Sequence, residues 1–284
     1  MKNKTVLITG GTGSFGQAFT KHILQMNPRK VIIFSRDWLK QKNMRDELGD
    51  SQNVRWFIGD VRDKDRLIRA FKGVEIVIHA AAIKDLETCE YNPSEAMSTN
   101  VVGTQNVIDA CIDQKVSKAI LISTDKACQP INLYGTSKAM AEKLWTQGNK
   151  YSASSEIMFS VCRYGNVVAS AGSVVPVWAK RIKEGQELTV TDEQMTRFWF
   201  PMCDAVKFVL DSLEKMEGGE VFIPKIPSIK ITDLAKAFGK PYRVVGIRRG
   251  EKLHEKLDDD YSSDRNEFLT VEEIKDTIKE FVHI

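Results

Sequence analysis

Short apolar runs and helical periodicity alternate through the first 165 residues. Aliphatic and β-branched runs at 5–9, 31–34, 54–58, 76–78, 119–122 and 157–161 have the length and continuity of strands covered on both faces. Between them, residues 17–26, 65–71, 94–112 and 134–147 carry apolar side chains three and four apart, the spacing of helices that lay one face on a sheet. Such alternation demands crossovers between parallel strands, and their right-handedness predicts a doubly wound α/β sheet of the Rossmann type. From Asn166 onward Gly172, Pro176, Pro201, Gly218, Gly219, Pro224 and Pro227 cut the chain into shorter units. The pattern predicts a dinucleotide-binding domain over 1–165 and a smaller substrate-binding lobe over 166–284, with a strand near 220–224 rejoining the first sheet. Thr270 with Glu273 has capping-box spacing and Leu269 with Ile274 staple spacing, so a last helix should run to about Phe281.

Composition narrows the classes. With 284 residues, 42% of them hydrophobic, the chain can bury a substantial core. Its 41 basic and 38 acidic side chains leave a formal +3, too balanced and scattered for a nucleic-acid surface, so an anionic ligand must be held locally. Five cysteines, odd in number and without paired metal-ligand spacing, fit reduced thiols in a cytoplasmic protein that binds no metal. The first apolar run, residues 6–8, is too short for a leader or a membrane span, and no membrane association is expected.

Gly10, Gly13 and Gly16 in GGTGSFG fall between the first strand and the first helix. Bare positions there let backbone N–H groups approach a pyrophosphate at the helix N-terminus, which makes Thr12, Ser14 and Phe15 candidate neighbours of a dinucleotide. About 20 residues beyond the last glycine, where an acid commonly meets the adenosine ribose, stand Ser35, Arg36 and Asp37. A guanidinium at that position suits the 2′-phosphate of NADP, and Lys40 one turn later adds a second cation, although Asp37 retains a claim on a ribose hydroxyl.

The stretch STDKA (123–127), followed by NLYGTSK (132–138), carries the candidate chemistry. Tyr134 and Lys138 are four apart and share one helix face, so the lysine and an oxidised nicotinamide would lower the tyrosine pKa and let it take a hydroxyl proton. Ser123 stands at the preceding strand end, and Asp125 and Lys126 offer an acid and a base, provided Asp125 stays protonated and burial with neighbouring positive charge lowers Lys126. Cys128 reads as small apolar packing and His254 as a structural hydrogen-bonding histidine.

With these segments, GDVRD (59–63), HAAA (79–82), RYGN (163–166), MTRFW (195–199) and GEKLHE (250–255), the chain resembles the extended short-chain dehydrogenase/reductase family from Lys4 to about Glu255. Within that family it is most similar to the inverting UDP-N-acetylglucosamine 4,6-dehydratases. The resemblance implies that Asp60 and Val61 meet adenine and that Ala80 and Ala81 line the cofactor channel. It also implies that Lys84, Thr124, Tyr134 and Asn166 face the sugar nucleotide, while Arg197, Arg248 and Glu251 hold diphosphate and uridine. The implied reaction oxidises carbon 4, removes water across carbons 5 and 6, and returns hydride to give a UDP-4-keto-6-deoxy-HexNAc. Return to carbon 4 would instead give the 5,6-ene. Residues 84–88 depart from the family's lysine–histidine/glutamine–valine–proline run, and Arg249 replaces a proline, so both outcomes stay open. A 4-epimerase, a carbonyl reductase and a noncatalytic NADP sensor are the rivals. Pairing of the two long helices between subunits would make a homo-oligomer.

Overall fold

The computed structural model describes residues 1–49, 51–152 and 157–282. Its strands are β1 (Thr5–Thr9), β2 (Lys30–Ser35), β3 (Val54–Ile58), β4 (Ile76–His79), β5 (Lys118–Thr124), β6 (Met158–Tyr164), β7 (Asn166–Val167), β8 (Leu188–Val190), β9 (Thr196–Phe200), β10 (Val221–Phe222), β11 (Ser228–Lys230) and β12 (Tyr242–Val244). The α-helices are α1 (Ser14–Leu24), α2 (Trp38–Leu48), α3 (Lys64–Phe71), α4 (Leu86–Tyr91), α5 (Pro93–Met97), α6 (Gly103–Asp113), α7 (Leu133–Tyr151), α8 (Val174–Lys183), α9 (Met202–Lys215), α10 (Ile231–Phe238) and α11 (Val271–Val282).

Seven parallel strands run in the order β10-β6-β5-β4-β1-β2-β3, the doubly wound arrangement expected from the alternation. Successive strand residues enter opposite layers. Leu7, Phe34, Val77 and Leu121 pack with Leu67, Phe71, Val107 and Trp145, whereas Val6, Ile8, Ile33 and Ile120 pack with Phe19, Ile23, Val206 and Val209. Burial on both faces is why these strands are apolar throughout. A mixed sheet β11-β9-β7 and a parallel pair β12-β8 make the smaller part. They share a core of Trp178, Trp199, Leu234, Phe238 and Ile274 with α8, α10 and α11. Between these pieces the chain returns to the large sheet, through α9 and then β10 beside β6. Thr270 and Glu273 form the expected reciprocal cap: Thr270 N–H donates to the Glu273 carboxylate at 2.8 Å and Glu273 N–H to Thr270 Oγ1 at 3.2 Å. Among the described residues no helix is long and apolar enough to cross a membrane.

Three elements differ from the periodicity. The helix expected at 17–26 starts at Ser14, because the glycine loop is itself the helix N-terminus. That expected at 94–112 is α5, a π turn over 98–102 and α6. The π turn holds Asn100, which accepts from Ile83 N–H at 2.8 Å and donates to Ile83 C=O at 2.9 Å, tying down the loop after β4. Helix α2 left little pattern, since only Gln41 and Met44 on it are buried; its signal was the cap, where Asp37 accepts from Lys40 N–H at 3.0 Å.

Candidate active site

The glycine loop is bare for want of room. A Cβ on Gly10, whose φ is +64°, would stand 2.8 Å from the backbone of Ala81, and one on Gly16 would stand 2.6 Å from that of Gly11. Pressing β1 against the β4 end in this way opens a cleft of about 240 Å³ lined by Gly10, Thr12, Gly13, Ser35, Arg36, Lys40, Asp60, Val61, Ala80 and Ala81. Ten positions expected to meet a dinucleotide therefore share one surface. Ser14, Phe15 and Gly16 are not on that wall: Ser14 Oγ accepts from Ala171 N–H at 2.9 Å, and Phe15 stacks on Phe19 with ring centroids 5.5 Å apart. Thr99, in the π turn, was missed; it lines the cleft with a buried hydroxyl that has no protein partner.

At the far end of the cleft the acid is spent on structure. Asp37 caps α2 and lies 3.7 Å from the Lys40 ammonium, and Asp60 is bound by Arg62 at 2.7 Å. Arg36 reaches Asp60 only at 3.5 Å and stays 53% exposed. Two cations thus face a space free of an uncommitted carboxylate, a donor set suited to a phosphate.

Beside the cleft, β5 ends in Thr124 and a 3₁₀ turn over Asp125–Ala127, and α7 begins at Leu133. Asn132 caps α7 by accepting from Gly135 N–H at 2.7 Å. Thr124 Oγ1 donates to Asp125 Oδ1 at 2.9 Å, and the Lys126 ammonium lies 3.1 Å from the same oxygen. Tyr134 hydrogen-bonds Thr124, and Lys138 donates to Ile122 C=O at 2.8 Å. Ser123 is not part of this group: its neighbouring register turns it to Glu142, at 2.5 Å, which also pairs with Arg163.

The electrostatics correct two expectations. Burial pushes Tyr134 up to about 12, and the charge that pulls against it is Lys126, not Lys138. Burial depresses Lys138 to about 8. Lys126 is not lowered either: burial acts in that direction, but Asp125 and Glu255 outweigh it and hold the amine above its usual range. Asp125 does follow expectation, raised by burial and by Glu255 against the pull of Lys126. Glu255 is the residue that residue-by-residue reading missed. It is 2% exposed, its Oε1 lies 3.2 Å from the Lys126 ammonium, and its only sequence signal was membership of GEKLHE.

The substrate candidates are only partly assembled. Lys84 is exposed, with its ammonium 3.5 Å from Ser170 Oγ. Asn166 and Arg197 line a small cavity of about 20 Å³, in which Asn166 Oδ1 and Ser173 Oγ lack partners while Arg197 donates to Thr196 C=O at 2.7 Å. Arg248 and Glu251 do not line that cavity; Arg248 contacts Glu87 at 3.2 Å and Glu251 at 3.8 Å. Of the three residues expected to form one clamp, Arg248 and Glu251 are neighbours, while Arg197 lines the separate small cavity. His254 is structural as expected, with Nδ1 2.8 Å from Thr196 Oγ1, and Cys128 is buried.

The family described as "Polysaccharide biosynthesis protein" matches residues 6–275. The chain belongs to this family. The family lies within the extended short-chain dehydrogenases/reductases, and the chain is 54% identical to a UDP-N-acetylglucosamine 4,6-dehydratase (inverting) of Campylobacter jejuni, over 89% of the chain and 76% of the relative. It is also 44% identical to a UDP-glucose 4-epimerase of Rickettsia prowazekii, over 90% and 77%. Pen from Bacillus thuringiensis superposes with a TM-score of 0.95 at 36% identity, over 98% of both chains. DesIV, a dTDP-glucose 4,6-dehydratase from Streptomyces venezuelae solved with NAD and TYD, shares the fold at a TM-score of 0.82 and 19% identity, over 98% and 97%.

Proposed function

We propose that this protein is an NADP-dependent 4,6-dehydratase of UDP-N-acetylglucosamine that yields a UDP-4-keto-6-deoxy-HexNAc. The observation that carries the reading is the pair of buried Asp125 and half-buried Lys126, 3.1 Å apart, whose charges act on Tyr134. Epimerisation at carbon 4 has no use for an acid and a base aimed at carbons 5 and 6. A nicotinamide dinucleotide, held by the glycine loop with Arg36 and Lys40 at its 2′-phosphate, would supply reversible two-electron oxidation at carbon 4.

Tyr134 takes the 4-hydroxyl proton, with the Lys126 charge favouring its phenolate. The resulting ketone acidifies carbon 5. The protonated state of Lys126 is compatible with its acting as base, because one proton moved across the 3.1 Å contact turns carboxylate and ammonium into carboxylic acid and amine. The amine then takes the carbon-5 proton, the bond between carbon 6 and oxygen breaks, and the Asp125 proton leaves with the hydroxyl as water. Asp125 and Lys126 are then carboxylate and ammonium, as they began, and the one proton that carbon 5 must regain in the 4-keto-6-deoxy product balances the one Tyr134 removed, so that no group ends with a proton gained or lost. Asn166, Arg197, Arg248, Glu251 and Lys84 are assigned to the sugar nucleotide, which requires the last two segments to close on it. Residues 1–165 hold the cofactor and 166–284 the substrate in this reading. A homo-oligomer paired through the segment 94–112 and α7 belongs to it, supported by half-exposed Val102 at the end of the π turn and half-exposed Met140 on α7.

Substrate deuterated at carbon 4, turned over in ordinary water without added reductant and followed by NMR, tests the assignment. Deuterium in a product methyl is expected. Retention at carbon 4 beside a double bond would assign the 5,6-ene, which the departure at residues 84–88 keeps in view. An inverted carbon 4 with no methyl or alkene would make the protein an epimerase.

A further inference from the structure

Lys126 is held from two sides by two parts of the chain. Asp125 is its sequence neighbour, whereas Glu255 arrives on the segment 250–257, which two other bonds fasten to the corner between β5 and α7 and a third to β6. Asn132 Nδ2 donates to Gly250 C=O at 2.7 Å, Lys252 to Cys128 C=O at 2.7 Å and Arg163 to Leu257 C=O at 2.8 Å. Glu255 itself is fixed by its backbone, since Glu255 N–H donates to Ser263 Oγ at 3.0 Å and Ser263 N–H to Glu255 C=O at 2.9 Å. Its carboxylate, 2% exposed on that fastened backbone, thus meets Lys126 from across the fold.

We propose that Glu255 is a positioning residue for the elimination, holding the Lys126 side chain beside Asp125 and supplying the fixed negative charge against which the carbon-5 proton settles. The inference rests on the dehydratase reading. An ammonium has three N–H bonds. Asp125 Oδ1 takes one at 3.1 Å and Glu255 Oε1 another at 3.2 Å, which leaves a single direction for substrate. A bridge built for stability alone would satisfy its own oxygens, yet Asp125 Oδ2 and Glu255 Oε2 are both buried without hydrogen-bond partners, Glu255 Oε2 having the Lys252 ammonium at the longer distance of 3.7 Å. The charges around the pair are Arg197 and Lys252, which with Lys126 keep Glu255 ionised, and Lys84, which faces Lys126 from the loop after β4. Glu255 acts on both partners: its charge favours the ammonium that forms on Lys126 and keeps the proton on Asp125 until the hydroxyl departs.

Glu255→Gln retains the shape and removes the charge. In the full-length holoenzyme it should lower kcat for water loss by about 100-fold while KM for UDP-N-acetylglucosamine changes little, and transient reduction of the cofactor should persist. Because Lys126 then loses a charge that retains its proton, the alkaline limb of kcat should move to lower pH. Glu255→Asp, which restores the charge, should recover part of the rate and return the limb; if the glutamine variant fails to fold, the rate and limb of this variant carry the test. Wild-type kcat and an unmoved limb in Glu255→Gln overturn the role of Glu255 alone, as does a rate loss with an unmoved limb that Glu255→Asp does not relieve. A wild-type protein that forms neither methyl nor alkene product overturns the dehydratase reading, and this role with it.

Discussion

The bare Cα of Gly135 sits against the carbonyl oxygen of Lys126 so closely that no Cβ fits between them. The first turn of α7 is thereby pressed onto the acid–lysine turn, which brings Tyr134 to Thr124. Gly135→Ala must part the two backbones; a destabilisation of about 1–3 kcal/mol in urea melts is expected, with turnover down by at least roughly tenfold because the reacting groups lose their mutual placement. Wild-type turnover in this variant would show that the contact does not set the geometry.

Arg36 should decide the cofactor. It is half-exposed in the cleft, and the only carboxylate that it reaches among the described residues is already bound by Arg62. Calorimetry on cofactor-stripped Arg36→Ala should show NADP binding weakened by about 1.5–3 kcal/mol, the worth of a charged hydrogen bond, and NAD binding hardly changed. Equal loss for both would remove the 2′-phosphate assignment.

Three variants should separate oxidation from elimination. Tyr134→Phe should form no reduced cofactor on mixing with substrate. Lys126→Ala should form some and yet fail to exchange the carbon-5 hydrogen with solvent, while Asp125→Asn should exchange it faster than it loses water. Undiminished turnover by Lys126→Ala would reject the mechanism.

Arg248 is 61% exposed and pairs with Glu87 at 3.2 Å, so little of the fold depends on it. Arg248→Ala should melt within a degree or two of wild type yet bind UDP about tenfold more weakly. Unchanged UDP affinity would leave Arg248 outside the substrate site.

His79 should make the fold acid-sensitive. It is wholly buried between Thr9 Oγ1 at 2.6 Å and Thr104 Oγ1 at 3.0 Å, and burial, with Lys138, pushes it down to about 3. Below the ordinary histidine range the unfolded chain binds a proton that the native state refuses, so stability falls as pH drops from about 6.5 towards 3. Denaturant melts at pH 7 and pH 5 should show a loss that is smaller in His79→Gln. An equal loss in both proteins would place the acid sensitivity elsewhere.

What the sequence determined by itself is what short spacing can encode. The strands of the large sheet were legible as apolar runs, uninterrupted in β1 and β4 where both faces are buried and broken by Arg55 in the edge strand β3, and β10 because it follows a glycine pair. The cleft wall was legible because a glycine loop after a strand has few structural uses, and Asp125, Lys126, Tyr134 and Lys138 because they lie on one turn and the helix that follows. Tertiary structure decided the rest. Ser123 and Thr124 are adjacent on β5, and only the packing of the two sheet faces determines that Thr124 meets Tyr134 while Ser123 meets Glu142. Proton affinities were equally beyond reach, since they depend on how deeply Tyr134 is buried and on a carboxylate, Glu255, that reaches Lys126 from far along the chain. Coulomb energy depends on distance through space, and spacing along a chain carries that distance only within a single element.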